Sequence, residues 1–296
     1  MKFSRALRVA VAMATTTVAS ACSSSNVDPG DGERIVTMTA GLTEAVFALG
    51  FGDQVVARDL GSTLTAASEL PIVTTTHDVN AEALLAVRPT LVLVDEDTGP
   101  KAALDQVRAT GVRIEVVENA TRVDQIVPRL QRVADILGTP ERAVRLAEVI
   151  EGELADALAD GAFPSPPRVA FLYVRGPAGV YLLGGPGSGP DSIIAAAGGI
   201  DAGTDIGLDL PFTPLTPEAL VEAAPDILFV TTTGLDSVDG IDGLLELTGV
   251  RQTPAGKARR VMTAEDGLLF SFGPRTPDLV AGLRAEMVVQ MAKVAA

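Results

Sequence analysis

Between Arg34 and Asp135, short apolar runs alternate with longer amphipathic ones. Residues 34–38, 54–58, 90–94 and 113–117 are rich in valine and isoleucine and predict strands, whereas 43–49 and 81–87 repeat apolar residues at helical spacing. Strand and helix alternating in this way predict a largely parallel sheet with helices on its faces. From Pro140 to Leu158 a longer, charged, amphipathic run predicts one long helix, with Thr139 as N-cap and Pro140 in the first helical position. Gly161, Pro164, Pro166 and Pro167 stop it. A second alternating half begins at Arg168 with a strand over 169–174, continues through 226–231 and 259–263, and closes with a helix over 277–294. The pattern therefore predicts an α/β chain of two lobes, 34–138 and 163–296, joined by a single helix within 139–162.

The two halves share a repeat. NAEALLAVRP at 80–89 followed by TLVLV matches TPEALVEAAP at 216–225 followed by DILFV, and Glu82 and Glu218 each stand seven residues before the proline. Proline after a helix is a generic stop. Two glutamates in the same register favour duplication over coincidence.

The N-terminus changes the picture from a cytoplasmic chain to an exported one. Lys2, Arg5 and Arg8 precede a short uncharged stretch, 9–19, too short for a bilayer, which takes about 20 apolar residues. Ala19, Ser20 and Ala21 lead into Cys22, and a Ser/Gly/Asp-rich stretch follows. Residues 1–21 are expected to be a signal peptide and 22–33 a flexible tether. The arrangement resembles the lipobox of bacterial lipoproteins, with Ala19 where leucine is usual, and implies that Cys22 is lipidated and anchors the chain to the outer face of the cytoplasmic membrane. A sole cysteine can build no disulfide framework. With 38 acidic residues against 23 basic and a net charge of −15, the surface repels polyanions, which argues against a nucleic-acid partner.

The chain is similar over its mature length to the substrate-binding proteins of iron-siderophore, haem and cobalamin importers. The resemblance rests on RIVTM at 34–38, TEAVFALG at 43–50, the two Glu-to-Pro repeats and TPAGK at 253–257. It implies two Rossmann-like lobes bridged by one long helix, a ligand cleft between them, and little hinge motion. Glu82 and Glu218 match the carboxylates with which such proteins dock on arginines of the permease dimer of an ABC transporter, which works with its ATPase subunits. Each falls in a predicted first helical turn, where a carboxylate is favoured by the helix dipole.

Ligand chemistry points to two aromatic or heterocyclic side chains. His77, the only histidine, lies just before the first repeated helix, in a loop that this architecture turns toward the cleft. Tyr173 and Arg175 stand two apart at the end of a predicted strand and so project to one side. A guanidinium beside a phenol stabilises the phenolate, and both tyrosine and histidine are axial ligands of haem iron. Together with GGPGSGP at 184–190, these residues resemble the haem-binding branch that holds iron between one histidine and one tyrosine. The implied cargo is haem, received from the medium or from upstream haem-donor proteins; a ferric siderophore or a corrinoid is the alternative. Tyr181 is the alternative phenol. Arg58 and Arg275 are candidates to meet the haem propionates, and Phe212, Phe270, Phe272 and Tyr181 to wall the porphyrin.

Enzymatic readings find little purchase. The 184–190 loop lacks a Gly-Lys-Ser/Thr ending, no Gly-x-Ser-x-Gly elbow is present, and any Ser-His-Asp triad must use His77. An exported enzyme or chelatase on the same scaffold is the remote alternative.

Overall fold

The computed structural model describes residues 32–74, 78–159 and 161–292. The expected signal peptide, most of the expected tether, Cys22, His77 and residues 293–294, expected to end the closing helix, lie outside the described residues.

The first lobe is built on five parallel strands. They are β1 (Ile35–Thr37), β2 (Val55–Asp59), β3 (Ile72–Thr74), β4 (Leu91–Val94) and β5 (Arg113–Val116), in the spatial order β3-β2-β1-β4-β5. β1 and β4 are buried at every residue, which explains their unbroken apolar composition; a parallel strand covered on both faces has no polar side to show. Between them run α1 (Ala40–Ala48), α2 (Ala81–Ala86), α3 (Lys101–Ala109) and α4 (Ile126–Ile136). Strand order reverses between β1 and β4. That is where a doubly wound sheet opens a crevice at the carboxyl ends of its strands.

α5 (Pro140–Asp156) follows, with Pro140 in its first turn as expected, and ends two residues before Leu158. Its 17 residues span about 25 Å. It packs against α4 on one side and against the last helix, α13, on the other.

The second lobe carries β6 (Arg168–Arg175), β7 (Val180–Gly184), α6 (Pro190–Ala196), β8 (Ile200–Asp201), α7 (Ala202–Asp205) and β9 (Phe212–Pro214). Then come α8 (Pro217–Ala223), β10 (Ile227–Thr231), α9 (Thr232–Asp236), α10 (Gly240–Glu246), α11 (Pro254–Lys257), β11 (Val261–Ala264), α12 (Asp266–Leu269) and α13 (Thr276–Ala292). The sheet order is β11-β10-β6-β7-β9, with β8 alongside β6. β11, β10 and β6 are parallel; β7 and β9 run against them. This is a mixed sheet: the largely parallel pairing that the pattern of residues predicted holds for β11, β10, β6 and β8, and β7 and β9 add an antiparallel edge. β7 escaped the pattern because only two of its five residues are buried and a glycine-rich loop adjoins it.

The repeat is structural. Asn80 and Thr216 both cap their helices, accepting from the amides of Ala83 and Ala219, and Leu84 and Leu220 take the same buried position. Both helices lead into fully buried strands, β4 and β10.

One apolar core crosses from lobe to lobe. Ile35, Leu42 and Leu91 of the first belong to the same cluster as Phe171, Phe229 and Val280 of the second, through α4 and Ile150 of α5. Two separate clusters cover the outer faces of the sheets.

Candidate ligand-binding cleft

A cleft of about 630 Å³ lies between the lobes. From the first lobe it is lined at the carboxyl ends of strands: Thr39 and Ala40 follow β1, Asp59 ends β2, and Asp95 and Asp97 follow β4. The strand-order reversal therefore sits on the cleft wall. The second lobe contributes Tyr173, Leu182, Phe212 and Phe270 as an apolar face, with Asp266 beside it.

Tyr173 reaches this face because β6 alternates. In the antiparallel pairing Tyr173 stands opposite Leu182 and Val174 opposite Tyr181, so the first pair faces the cleft and the second turns away. Phe212 meets the Tyr173 ring edge-on at 5.8 Å, and Phe270 does the same to Phe171 at 6.1 Å. The cleft wall is thus continuous with the core.

Arg175 shares the side of Tyr173, but its guanidinium carbon lies 4.4 Å above the ring centre, a cation–π stack. Its nitrogens donate to the Val174 carbonyl (2.9 Å), Thr231 Oγ1 (3.2 Å) and Asp266 Oδ1 (2.6 Å). Burial works to raise the Asp266 carboxyl, but hydrogen bonds from Thr233 and Arg175 outweigh it and hold the group below its ordinary value. Arg175 thus fixes the ring's orientation with a charge already matched by Asp266.

Several expected positions fall elsewhere. Tyr181 packs on the outer cluster of the second sheet, one register position out of phase with the cleft. Phe272 is core, 2% exposed and in contact range of Gly189. Arg58 is buried and donates to the carbonyls of Asp59, Ser62, Ala67 and Ser68, so its fork is spent on the loop after β2. Arg275 donates to Glu44 Oε1 at 2.7 Å, and its amide reaches Oε2 at 3.3 Å. That pair ties the second lobe to α1 of the first. Neither arginine lines the cleft, and the role expected of them with the propionates is withdrawn for that reason. Glu82 and Glu218 are exposed, each in its helix's first turn.

Residues 35–267 match the family described as periplasmic binding protein. The chain belongs to that family.

Its solved relatives cover nearly the whole fold. A haem-binding protein, RhuT, from Roseiflexus sp. RS-1 is 39% identical with a TM-score of 0.81, covering 88% of this chain and 99% of that one. The haem-binding protein BhuT, solved with two haems, is 32% identical at a TM-score of 0.80, again over 88% and 99%. HutB of Vibrio cholerae, also haem-binding, is 26% identical at 0.78, over 87% and 98%. A vitamin B12-binding protein of Yersinia pestis is 32% identical over 141 residues, 47% of this chain and 50% of that one; the chain spans about half the length of the curated relatives it matches. These relatives are binding proteins and not enzymes. Periplasmic binding proteins are exported and work with the permeases of ABC transporters.

Two features of this periplasmic binding protein escaped the sequence. Arg129, in α4, lines the cleft floor, and Glu44 anchors Arg275. Neither carries a local signal: Arg129 meets Ser271 from 142 positions away, and Glu44 meets Arg275 from 231.

Proposed function

We propose that this binding protein captures haem outside the cytoplasmic membrane and delivers it to an ABC importer for iron acquisition. The observation that carries the reading is Tyr173: a phenol on the cleft wall at the end of β6, oriented by a stacked arginine two residues on. Support comes from the haem-binding relatives, among which HmuT has been solved with a histidine, with a tyrosine, and with an arginine two residues beyond that tyrosine each replaced by alanine. Tyr173 is the axial ligand from the second lobe and His77 the one from the first, with Arg175 as the positioning residue. Phe212 and Phe270 flank the porphyrin. The finer assignments follow the same reading: signal peptide 1–21, lipidation of Cys22, tether 22–33, lobes 34–138 and 163–296 about the 139–162 segment, and Glu82 and Glu218 as permease contacts.

The test is an absorption titration with ferric haem of the wild type, His77→Ala and Tyr173→Phe. Phenylalanine keeps the packing against Phe212 and removes only the phenol oxygen. The wild type is expected to saturate with a sharp Soret band, and each variant to shift that band and bind at least about tenfold more weakly. A second reading, a corrinoid ligand, is favoured by the vitamin B12-binding relative. Absence of a saturable Soret change in the wild type, with cobalamin binding in its place, would overturn the haem reading in its favour.

A further inference from the structure

One guanidinium at the cleft makes no ion pair among the described residues. Arg129 lines the cleft and is 7% exposed. Its Nη1 donates to the Ser271 carbonyl at 3.1 Å and its Nη2 to Thr39 Oγ1 at 3.2 Å, both neutral acceptors. Its Nε is buried with no partner, and none of the ion pairs among the described residues includes it. Asp95 and Glu44 are near enough for their charge to be felt. Neither touches the fork: Asp95 accepts from the Thr98 hydroxyl at 2.6 Å without a hydrogen bond to Arg129, and Glu44 is paired with Arg275. An arginine stays charged even where burial disfavours its charged form, so a buried guanidinium held only by neutral acceptors is costly until an anion arrives.

The same wall carries a second source of positive potential. α1 starts at Ala40, directly after β1 and at the strand-order reversal. Its N-cap, Thr39, makes no side-chain hydrogen bond to the helix, because the hydroxyl is turned to Arg129 instead. The first turn holds no acidic residue. The leading amides of a nine-residue helix thus lack a side-chain acceptor, with Thr39 and Ala40 at the cleft surface.

We propose that Arg129 and the N-terminus of α1 form an anion subsite that takes a carboxylate of the bound ligand. The subsite rests on the haem reading, in which the ligand brings two propionates, and it supplies the positive charge that Arg58 and Arg275 do not. Of the other lining acids, Asp266 is matched by Arg175, whereas Asp97 pairs with no cation among the described residues and repels a carboxylate from its part of the cleft. One anchored propionate therefore also sets which edge of the porphyrin enters first. A corrin ring, whose edge carries neutral amides, gains nothing from this subsite.

The test compares ferric protoporphyrin IX with its dimethyl ester, presented in the same detergent to wild type, Arg129→Gln and Arg129→Lys. A charge-assisted hydrogen bond lost on esterification leads us to expect a wild-type preference for the diacid of about 10–100-fold. In Arg129→Gln the preference collapses to within about threefold while the Soret band keeps its shape. Arg129→Lys, which keeps the charge without the fork, is intermediate and carries the test if the glutamine variant does not fold. Equal binding of acid and ester by the wild type, or an undiminished preference in Arg129→Gln, overturns the subsite and leaves haem binding standing. A wild type that binds neither porphyrin overturns both.

Discussion

Glu44 is held folded against the cost of its own burial. Its side chain is 2% exposed, and burial pushes its carboxyl above the ordinary value of 4.5, although Arg275 donates to both oxygens and opposes the shift. A carboxyl that binds its proton more tightly in the folded chain than in the unfolded one contributes stability while protonated. That contribution fades as pH rises through the folded pKa. Against Glu44→Gln, which is neutral at every pH, the wild type is expected to lose relative stability as pH rises above 4.5. Denaturant melts of both chains across that interval check it; a difference that moves in the wild type's favour with rising pH would mean that pairing with Arg275 dominates. Residue-scale chemistry was legible in the sequence only where it is local. Tyr173 and Arg175 share a side because strands alternate. Arg275 read as an available charge because its carboxylate stands 231 positions away, and Arg58 did because the backbone carbonyls of the loop that follows it leave no mark in the residue pattern.

Elements meet across the lobes with no space for a side chain. A Cβ on Gly41, in the first turn of α1, would lie 2.0 Å from the Ser271 carbonyl oxygen. On Gly273 it would lie 2.4 Å from Glu44 Oε2. The loop between α12 and α13 therefore lies flush on α1, which is what brings Ser271 to Arg129 and Arg275 to Glu44. Gly41→Ala must displace backbone and is expected to cost about 1–3 kcal/mol. Gly152→Ala in α5 and Gly282→Ala in α13 meet nothing within 4 Å and are expected to stabilise by about 0.5–1 kcal/mol, since alanine is the better helix former. Thermal unfolding of the three variants reads both signs, and a neutral Gly41→Ala would show that the two elements can part cheaply. The strands and helices that pack face to face were legible in the sequence, since burial on both faces writes apolar runs. β7, β9 and the loop against α1 were not, because half-exposed strands and glycine contacts leave no periodic trace.

At the scale of the molecule, a core continuous from one sheet to the other means that parting the lobes would expose Leu42, Phe171, Val280 and their neighbours to water. Each such side chain costs about 1.5–3 kcal/mol to expose, so wide opening is disfavoured and the cleft keeps one geometry. The distance between Glu82 on the first lobe and Glu218 on the second is then fixed as well. A permease offering an arginine to each glutamate meets a rigid, two-point pattern, and once one contact has formed the second is made at high effective concentration. Single exposed ion pairs contribute only about 0.2–1 kcal/mol, so Glu82→Ala or Glu218→Ala alone should slow haem uptake into vesicles carrying the importer only modestly. The double variant should lose more than either single one but less than the two separate effects combined, because each single variant already forfeits the intramolecular second contact. Haem affinity of all three should match the wild type, since both side chains are exposed and outside the cleft. Uptake at the wild-type rate by the double variant would remove the glutamates from docking, and a parallel loss of haem affinity would place their effect on the fold instead of on the permease.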